Sequence, residues 1–332
     1  MDRLPSFALH RPTNLADAAA WLAAKGARPL AGGTDLLPNL RRGLDRPQAL
    51  VELAGIAGFD AIEDRAGGIA VGAGATLAAL ARDRRCSGAY AAIAEAANAV
   101  AAPAHRNAAT VGGNLCQDTR CVFYNQSAWW RAANAGCLKR GGTVCHVAPQ
   151  GQRCHAAYSG DLAPALIALG ADVELVSVRA TRRVPLAALY CDDGAGHLAL
   201  APDELIVRVL VPDATPAARS GYRKARVRGA IDFALAGVAI ALVVDGATIV
   251  ELAVALTGTN ASPFRLEGID ALLGRDADDA RVLAELGKLV TKQARPMRTT
   301  ATAANHRRQV AAALAQRLLR ELAVAPPSGA TS

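Results

Sequence analysis

The sequence lacks several features that would assign it quickly to a class. Its longest apolar stretch, residues 233–244, is too short and too rich in alanine and glycine to span a bilayer, so no membrane segment is expected. The N-terminus, Met1 to Pro5, has no basic segment followed by an apolar one, which predicts no secretory signal and a cytoplasmic location. No Ser-His-Asp arrangement, paired-carboxylate site or His-Glu-x-x-His motif occurs, which argues against acid–base catalysis on a substrate.

An excess of positive charge is present, but it lacks the pattern of a nucleic-acid binder. Lys and Arg total 37 against 29 Asp and Glu, a formal net charge of +8. The basic residues are scattered and no nucleic-acid motif accompanies them, so no nucleic-acid partner is expected. A solvated surface and a docking face for an acidic protein both remain open.

Cysteine is unevenly distributed along the chain. Cys86 and Cys191 stand alone and are predicted to be ordinary packed thiols. The other five crowd into one segment, at Cys116, Cys121, Cys137, Cys145 and Cys154. In a reducing compartment disulfides are rare, and clustered thiols more often bind metal or carry redox chemistry.

The cysteine spacing favours an iron–sulfur cluster. Zinc sites prefer close Cys pairs, whereas wide spacings suit a cube-shaped cluster wrapped by a long loop. A mixed zinc site that includes His146 or His155, and a loop with idle thiols, are the alternatives. Two groups of neighbours are expected to shield the cluster or offset its charge: Trp129 and Trp130, then Arg120, Arg131, Lys139, Arg140 and Arg153.

The length and periodicity predict two or three lobes with α/β architecture at the N-terminus. In the first unit Asn14 is expected to cap a helix that buries Ala18, Trp21 and Leu22. A second unit has strand patterns near 69–71, 173–178 and 205–211. Residues 212–220 resemble a linker, after which a strand at 248–256 and two amphipathic helices follow.

Two Gly-Gly loops are candidates for a dinucleotide site. Gly32-Gly33, flanked by Thr34, ends a predicted strand, and Gly112-Gly113 repeats the chemistry eighty residues later. Adjacent glycines let backbone N–H groups approach a pyrophosphate closely. One such loop is as easily a plain tight turn, but two of them suggest a grip on one diphosphate from opposite sides.

Two further residues allow two interpretations each. Asp161 precedes a predicted helix, so it either caps that helix or accepts a hydrogen bond from a ribose hydroxyl. Lys224 lies in a basic Tyr-Arg-Lys segment, which is either a solvated strand edge or a source of a lysine for a flavin carbonyl or a phosphate.

The order of these motifs resembles a known family. Two Gly-Gly loops, then Ser-Gly-Asp-Leu-Ala-Pro-Ala-Leu, then Arg-Lys before Asp-Phe, are similar to the FAD-binding medium subunit of the xanthine dehydrogenase/oxidase (molybdenum hydroxylase) family, over about residues 5–320. Between the second loop and Ser-Gly-Asp the chain carries an insertion that most members lack. That insertion resembles the β subunit of the 4-hydroxybenzoyl-CoA reductases, where an extra [4Fe–4S] cluster is held.

The resemblance implies an α+β fold in which two α/β lobes form the FAD-binding domain. That domain would span residues 1–212, with lobes at about 1–56 and 57–212 and the iron–sulfur insertion at about 116–156. A C-terminal lobe of antiparallel sheet and helices would span 213–325, and residues 326–332 would form a disordered tail.

The resemblance also assigns residues to cofactors. The cluster ligands would be Cys121, Cys137, Cys145 and Cys154. Cys116 is left out, because relatives without the cluster often have cysteine there. FAD would be bound by Leu30, Ala31, Gly32, Gly33, Thr34, Asp35, Leu36, Ala101, Thr110, Val111, Gly112, Gly113, Asn114, Asp161 and Lys224. Because both Gly-Gly loops lie outside the insertion, FAD binding is expected not to depend on the cluster.

Finally, the resemblance implies an electron-relay subunit without a catalytic residue of its own. Electrons from a ferredoxin-like donor would enter at the [4Fe–4S] cluster, pass to FAD and continue through [2Fe–2S] clusters to a molybdenum cofactor on partner subunits. The expected assembly is a heterotrimer that dimerises. A related hydroxylase that works oxidatively on another substrate, and a zinc-stabilised binding module without enzymatic activity, are the two alternatives.

Overall fold

The computed structural model describes residues 3–324, so the tail expected from residue 326 lies outside the described part of the chain. Three sheets organise the fold, with strand orders β1-β3-β2, β4-β5-β8-β6-β7 and β12-β11-β10-β9. Within residues 3–324, no helix combines the length and the apolar character that a bilayer crossing requires.

The first lobe is a small parallel sheet with two short helices. Its elements are β1 (Ala8–His10), α1 (Leu15–Leu22), β2 (Ala27–Leu30), α2 (Leu36–Arg41) and β3 (Ala49–Glu52). Asn14 caps α1 as predicted, since its side-chain oxygen accepts the N–H of Asp17 at 2.9 Å.

The prediction that Trp21 is buried was wrong. The buried face of α1 is formed by Ala18, Ala19 and Leu22, and helical geometry turns Trp21 away from it. Trp21 is 45% exposed and stacks on His10 with ring centroids 3.6 Å apart.

The second lobe is a five-stranded antiparallel sheet covered by helices. Its strands are β4 (Ile62–Arg65), β5 (Gly68–Gly72), β6 (Asp172–Val176), β7 (Thr181–Pro185) and β8 (Leu205–Pro212). Its helices are α3 (Leu77–Arg82), α4 (Ala91–Ala99), α5 (Pro103–Arg106), α6 (Val111–Leu115), α7 (Ala128–Ala133) and α8 (Leu162–Ala168). Apolar residues of this lobe share one continuous core with Val51 of the first lobe and Ala239 of the third.

The third lobe is an antiparallel sheet backed by two helices, as the resemblance implied. It contains β9 (Arg219–Ala225), β10 (Ala236–Asp245), β11 (Thr248–Thr257), β12 (Phe264–Arg265), α9 (Ala280–Gln293) and α10 (Ala304–Val324). Leu286 and Leu318 of the two helices pack on Val254 and Leu256 of the sheet in a second buried core. The α+β fold class is therefore confirmed.

Residues 116–156 have little regular structure, as the lack of a period predicted. Apart from α7, the segment consists of turns and isolated bridges, such as the one between Arg120 and Ala157. A small apolar cluster joins this segment to Leu44, and its members within the segment are Cys121, Tyr124, Cys154 and Ala156. Leu44 belongs to the first lobe, so the segment packs directly against that lobe.

Candidate functional site

The first Gly-Gly loop presents a row of unused backbone donors. It joins the end of β2 at Leu30 to the start of α2 at Leu36. Within the described part of the chain, the N–H groups of residues 31–35 donate no hydrogen bond. Gly33 has a φ of +69°, in the left-handed region that favours glycine. Successive N–H groups in such a turn form a concave site for an anion.

The two Gly-Gly loops lie side by side. A Cβ atom added at Gly32 would lie 1.7 Å from the carbonyl oxygen of Ala108, which is four residues before Gly112 of the second loop. The absence of a side chain at Gly32 therefore allows the backbones of the two segments to touch.

The second loop differs from the first in how its backbone is used. Thr110 caps α6 by accepting the N–H of Gly113 at 3.1 Å, and the N–H of Gly112 donates to Ala73 at 2.8 Å. The side chain of Asn114 accepts the N–H of Leu162 at 3.1 Å and so holds the start of α8. Gly113 is exposed, and a Cβ there would approach only the Thr110 hydroxyl, at 3.0 Å. The second loop thus offers an open glycine face rather than a row of donors.

Asp161 and Lys224 form a buried ion pair. The Lys224 ammonium donates to Asp161 Oδ2 at 2.8 Å, and each side chain is 5% exposed. Tyr222 donates its hydroxyl to Asp161 Oδ1 at 2.6 Å. Of the two interpretations of Asp161, the helix cap is not observed, because its side chain makes no capping bond. Lys224 is likewise buried, which rules out the solvated strand edge.

Burial dominates the electrostatics of this pair. It raises the pKa of Asp161, and the adjacent Lys224 cation opposes that rise. The Tyr222 hydroxyl was missed by the sequence reasoning. The sequence spacing does indicate this contact, because Tyr222 and Lys224 are two residues apart on β9 and therefore lie on the same face of the strand.

Ala101, two residues after a carbonyl group that Lys224 contacts, has a strained backbone. Its φ is +39°, and its carbonyl oxygen accepts the N–H of Ile231, whose φ is +51°. Lys224 also donates to the carbonyl oxygen of Ala99 at 3.1 Å. Such conformations persist only where the surrounding structure holds them, and they concentrate at functional sites.

The four cysteines named as cluster ligands line one pocket. Its walls are Cys121, Phe123, Tyr124, Cys137, Leu138, Lys139, Cys145, His146, Cys154 and Ala156. The other cysteines lie elsewhere, with Cys86 in the core of the second lobe and Cys191 exposed. Within residues 3–324, no three His, Cys, Asp or Glu side chains are grouped so as to hold a single metal ion.

Burial raises the pKa of two of these thiols and so disfavours their thiolate forms. It raises the pKa of Cys121, and negative charge on Cys145 and Cys137 would raise it further. It raises the pKa of Cys154 to about 11. Cys116, whose pKa burial raises to about 12, is not part of this pocket.

The expected neighbours of the cysteines are only partly in place. Trp129 is 78% exposed, so the prediction that it shields the pocket was wrong. Trp130 packs against Phe123 and His146, with ring centroids 6.1 and 6.2 Å away. Of the five basic residues, only Lys139 lines the pocket. The four arginines bind oxygens elsewhere: Arg120 on Asp35, Arg131 on Gln126, Arg140 on Gly43 and Arg153 on Asp192.

Comparison with known proteins identifies the class to which this arrangement belongs. Residues 5–214 match the family described as the FAD binding domain in molybdopterin dehydrogenase, and residues 220–322 match the CO dehydrogenase flavoprotein C-terminal domain. The chain is therefore a flavin-binding oxidoreductase subunit. It belongs to the family of FAD-binding subunits of the molybdenum hydroxylases.

Individual relatives agree with this assignment. The FAD-binding subunit of an aldehyde oxidoreductase from Escherichia coli (strain K12) is 36% identical over 262 residues, which cover 76% of this chain and 80% of that subunit. The medium chain of carbon monoxide dehydrogenase from Afipia carboxidovorans is 29% identical over 282 residues, covering 84% and 83%. The structure of a reconstituted CO dehydrogenase from Oligotropha carboxidovorans matches with a TM-score of 0.80 at 25% identity, over 97% of this chain and 99% of that one.

The open face of Gly113 yields a first prediction. Gly113→Val places a branched side chain over that face, where the diphosphate of FAD is expected, while a Cβ there meets only one hydroxyl. The variant should purify folded but depleted of flavin, as measured by FAD absorbance per chain. Gly196→Val is the control, because a Cβ there meets nothing within 4 Å. Full flavin occupancy in Gly113→Val would contradict this role.

The buried ion pair yields a second prediction. Lys224→Met leaves the Asp161 carboxylate buried without its cation, which should lower the free energy of unfolding by about 3–5 kcal/mol. The double variant Lys224→Met/Asp161→Asn removes the charge and keeps an acceptor for Tyr222, so it should recover much of that loss. Urea unfolding of four proteins, the wild type, Lys224→Met, Asp161→Asn and the double variant, measures these effects. Simple addition of the two single-variant losses would show that the pair is not coupled.

Proposed function

We propose that this chain carries FAD and one [4Fe–4S] cluster and relays electrons between them within a molybdenum-dependent oxidoreductase complex. The observation that carries this proposal is the convergence of Cys121, Cys137, Cys145 and Cys154 on one pocket. When bound, FAD can exchange electrons singly or in pairs, and an iron–sulfur cluster exchanges them singly.

The residues present fit both groups. The N–H groups of residues 31–35 have no acceptor in the described chain, which suits a diphosphate. Four thiols around one pocket match the ligand number of a cubane cluster. The Lys139 ammonium on the pocket wall, with 6% of its side chain exposed, offsets negative charge there. Phe123, Leu138 and Ala156 provide apolar walls.

The names of the relatives support a place for this chain in a larger complex. Those relatives are named as subunits or medium chains of larger enzymes. We place this chain in a cytoplasmic heterotrimer with a molybdenum-cofactor subunit and a [2Fe–2S] subunit, two copies of which form a dimer. The substrate would then bind on the molybdenum subunit, and the present chain would exchange electrons with an external acceptor or donor.

Two substrate classes have specific support. The oxidation of an aldehyde is favoured by the relative at 36% identity, which is named an aldehyde oxidoreductase subunit. The reductive dehydroxylation of 4-hydroxybenzoyl-CoA, with electrons from a ferredoxin, is favoured by the resemblance of the insertion that begins at Cys116. The first class is our leading candidate, because the names of the relatives describe dehydrogenases and oxidoreductases.

Substitution of the cysteines tests the cluster. Replacing Cys121, Cys137, Cys145 or Cys154 with Ser should lower the iron and acid-labile sulfide content, because a lost thiolate leaves an open, labile iron. Cys86→Ser, Cys116→Ser and Cys191→Ser are the controls and should retain both. The measurement is metal and sulfide analysis of anaerobically purified protein. Zinc without sulfide in the wild-type chain would overturn the proposal.

Steady-state assays of the intact complex separate the two substrate classes. We expect an aldehyde to reduce an artificial acceptor, and 4-hydroxybenzoyl-CoA with a reduced low-potential donor to give no product. The reverse pattern would establish the reductase. Loss of both activities in a complex that retains its cofactors would refute both candidates.

A further inference from the structure

Helix α2 follows the first Gly-Gly loop in the chain and lies against residues 116–156, the cysteine segment. It spans Leu36–Arg41, six residues, and starts where the loop of unused N–H groups ends. A helix this short is not stable by itself in water, so its position depends on tertiary contacts. Residues 116–156 provide such contacts at both of its ends.

At the start of α2, both carboxylate oxygens of Asp35 accept hydrogen bonds from the protein. Its Oδ2 accepts the backbone N–H of Asp118 at 3.1 Å, and its Oδ1 accepts from the Arg120 guanidinium. Arg120 also donates to the side-chain oxygen of Asn39 at 2.8 Å. Since both carboxylate oxygens of Asp35 are occupied, this side chain is a positioning residue for the loop.

At the end of α2, the same segment binds exposed carbonyl groups. Arg131 donates to the carbonyl oxygen of Arg42 at 3.3 Å, and Arg140 donates to that of Gly43 at 2.9 Å. Leu44 then packs with Cys121 and Cys154 in the small apolar cluster. These bonds satisfy carbonyls that a helix end leaves without partners.

The residues that hold α2 also border the cysteine pocket. Arg120 immediately precedes Cys121 in the chain. Lys139, on the pocket wall, donates to Asp118 Oδ1 at 2.5 Å. Tyr124, also on the wall, donates its hydroxyl to Asp118 Oδ2 at 3.1 Å. Asp118 and Arg120 therefore join the pocket to Asp35.

We propose that the cysteine segment, α2 and the first Gly-Gly loop form one coupled unit, so that the cluster and FAD stabilise each other's binding. This inference rests on the proposed function and revises the expectation that FAD binding is independent of the insertion. An irregular segment of some forty residues has little core of its own, and four metal bonds would order it. Ordering the segment fixes Asp118 and Arg120, and through them the loop that meets FAD. Linkage requires the effect to be reciprocal.

The test compares the affinity for FAD with and without the cluster. Full-length chain is purified anaerobically, and one portion is stripped of iron by a chelator. The dissociation constant of FAD is then measured by flavin fluorescence for both portions. In the wild type the cluster-free form should bind FAD more weakly by a factor in the range of about 5–150, the usual size of such coupling.

Arg120→Met provides the decisive variant. It breaks the connection to Asp35 and Asn39, so its ratio of dissociation constants should fall close to one, even if its affinity for FAD is lower overall. A ratio is used because a purely structural defect would weaken both forms alike. Arg140→Met, at the other end of α2, is the second variant in case the first does not fold, and its ratio should also be reduced.

Arg85→Met is the matched control. Arg85 makes a comparable bridge to Asp83 at 3.1 Å and to the carbonyl oxygen of Ile62 at 2.6 Å, within the second lobe. Its ratio should equal that of the wild type. As the reciprocal readout, added FAD should slow iron removal from wild type and Arg85→Met, but not from Arg120→Met.

The outcomes separate this inference from the proposed function. Equal affinity for FAD in cluster-loaded and cluster-free wild type would overturn the coupling while leaving the relay intact. An unchanged ratio in both Arg120→Met and Arg140→Met would overturn the route through α2. A wild-type chain that contains FAD but neither iron nor sulfide would instead refute the cluster, and the coupling with it.

Discussion

The backbone of residues 31–35 sets the requirement that organises the N-terminal half of the molecule. Backbone N–H groups need acceptors, and these have none within the described chain. None of the five residues is buried, so a ligand or water can meet their donors, provided that both ends of the loop are held in place. β2 holds one end, and α2 holds the other through Asp35. The direct contact of Gly32 with Ala108 then brings the second loop, with its open Gly113, to the same place.

The buried pair of Asp161 and Lys224 ties the third lobe to this site. Asp161 begins α8 of the second lobe and Lys224 lies on β9 of the third, so the ion pair fixes one lobe against the other. Two charges in such a position are costly without full hydrogen bonding, which Tyr222 and the Ala99 carbonyl supply. The site expected for FAD is thus assembled from all three lobes, consistent with a core that runs through them.

The sequence predicted those features that depend on local pattern. Local pattern located α1 and α8, and paired glycines marked both loops. Thiol crowding gave five candidate cysteines, and the family resemblance narrowed them to the four that share a pocket. The sequence did not predict features that depend on contacts between residues far apart in the chain. Arg120 and Asp35 are 85 residues apart, and nothing near either one indicates the other. Trp21 was misjudged because the choice of buried face on a short helix is made by the sheet beneath it.

The central claim, that one chain holds both FAD and a [4Fe–4S] cluster in electronic contact, is tested most directly by an anaerobic reductive titration of the full-length protein. Absorbance and electron paramagnetic resonance spectra are followed as electrons are added. We expect uptake of about three electrons per chain, two by FAD and one by the cluster, with the signal of a reduced cubane cluster. Uptake of about two electrons, with a flavin signal and none from iron, would contradict it.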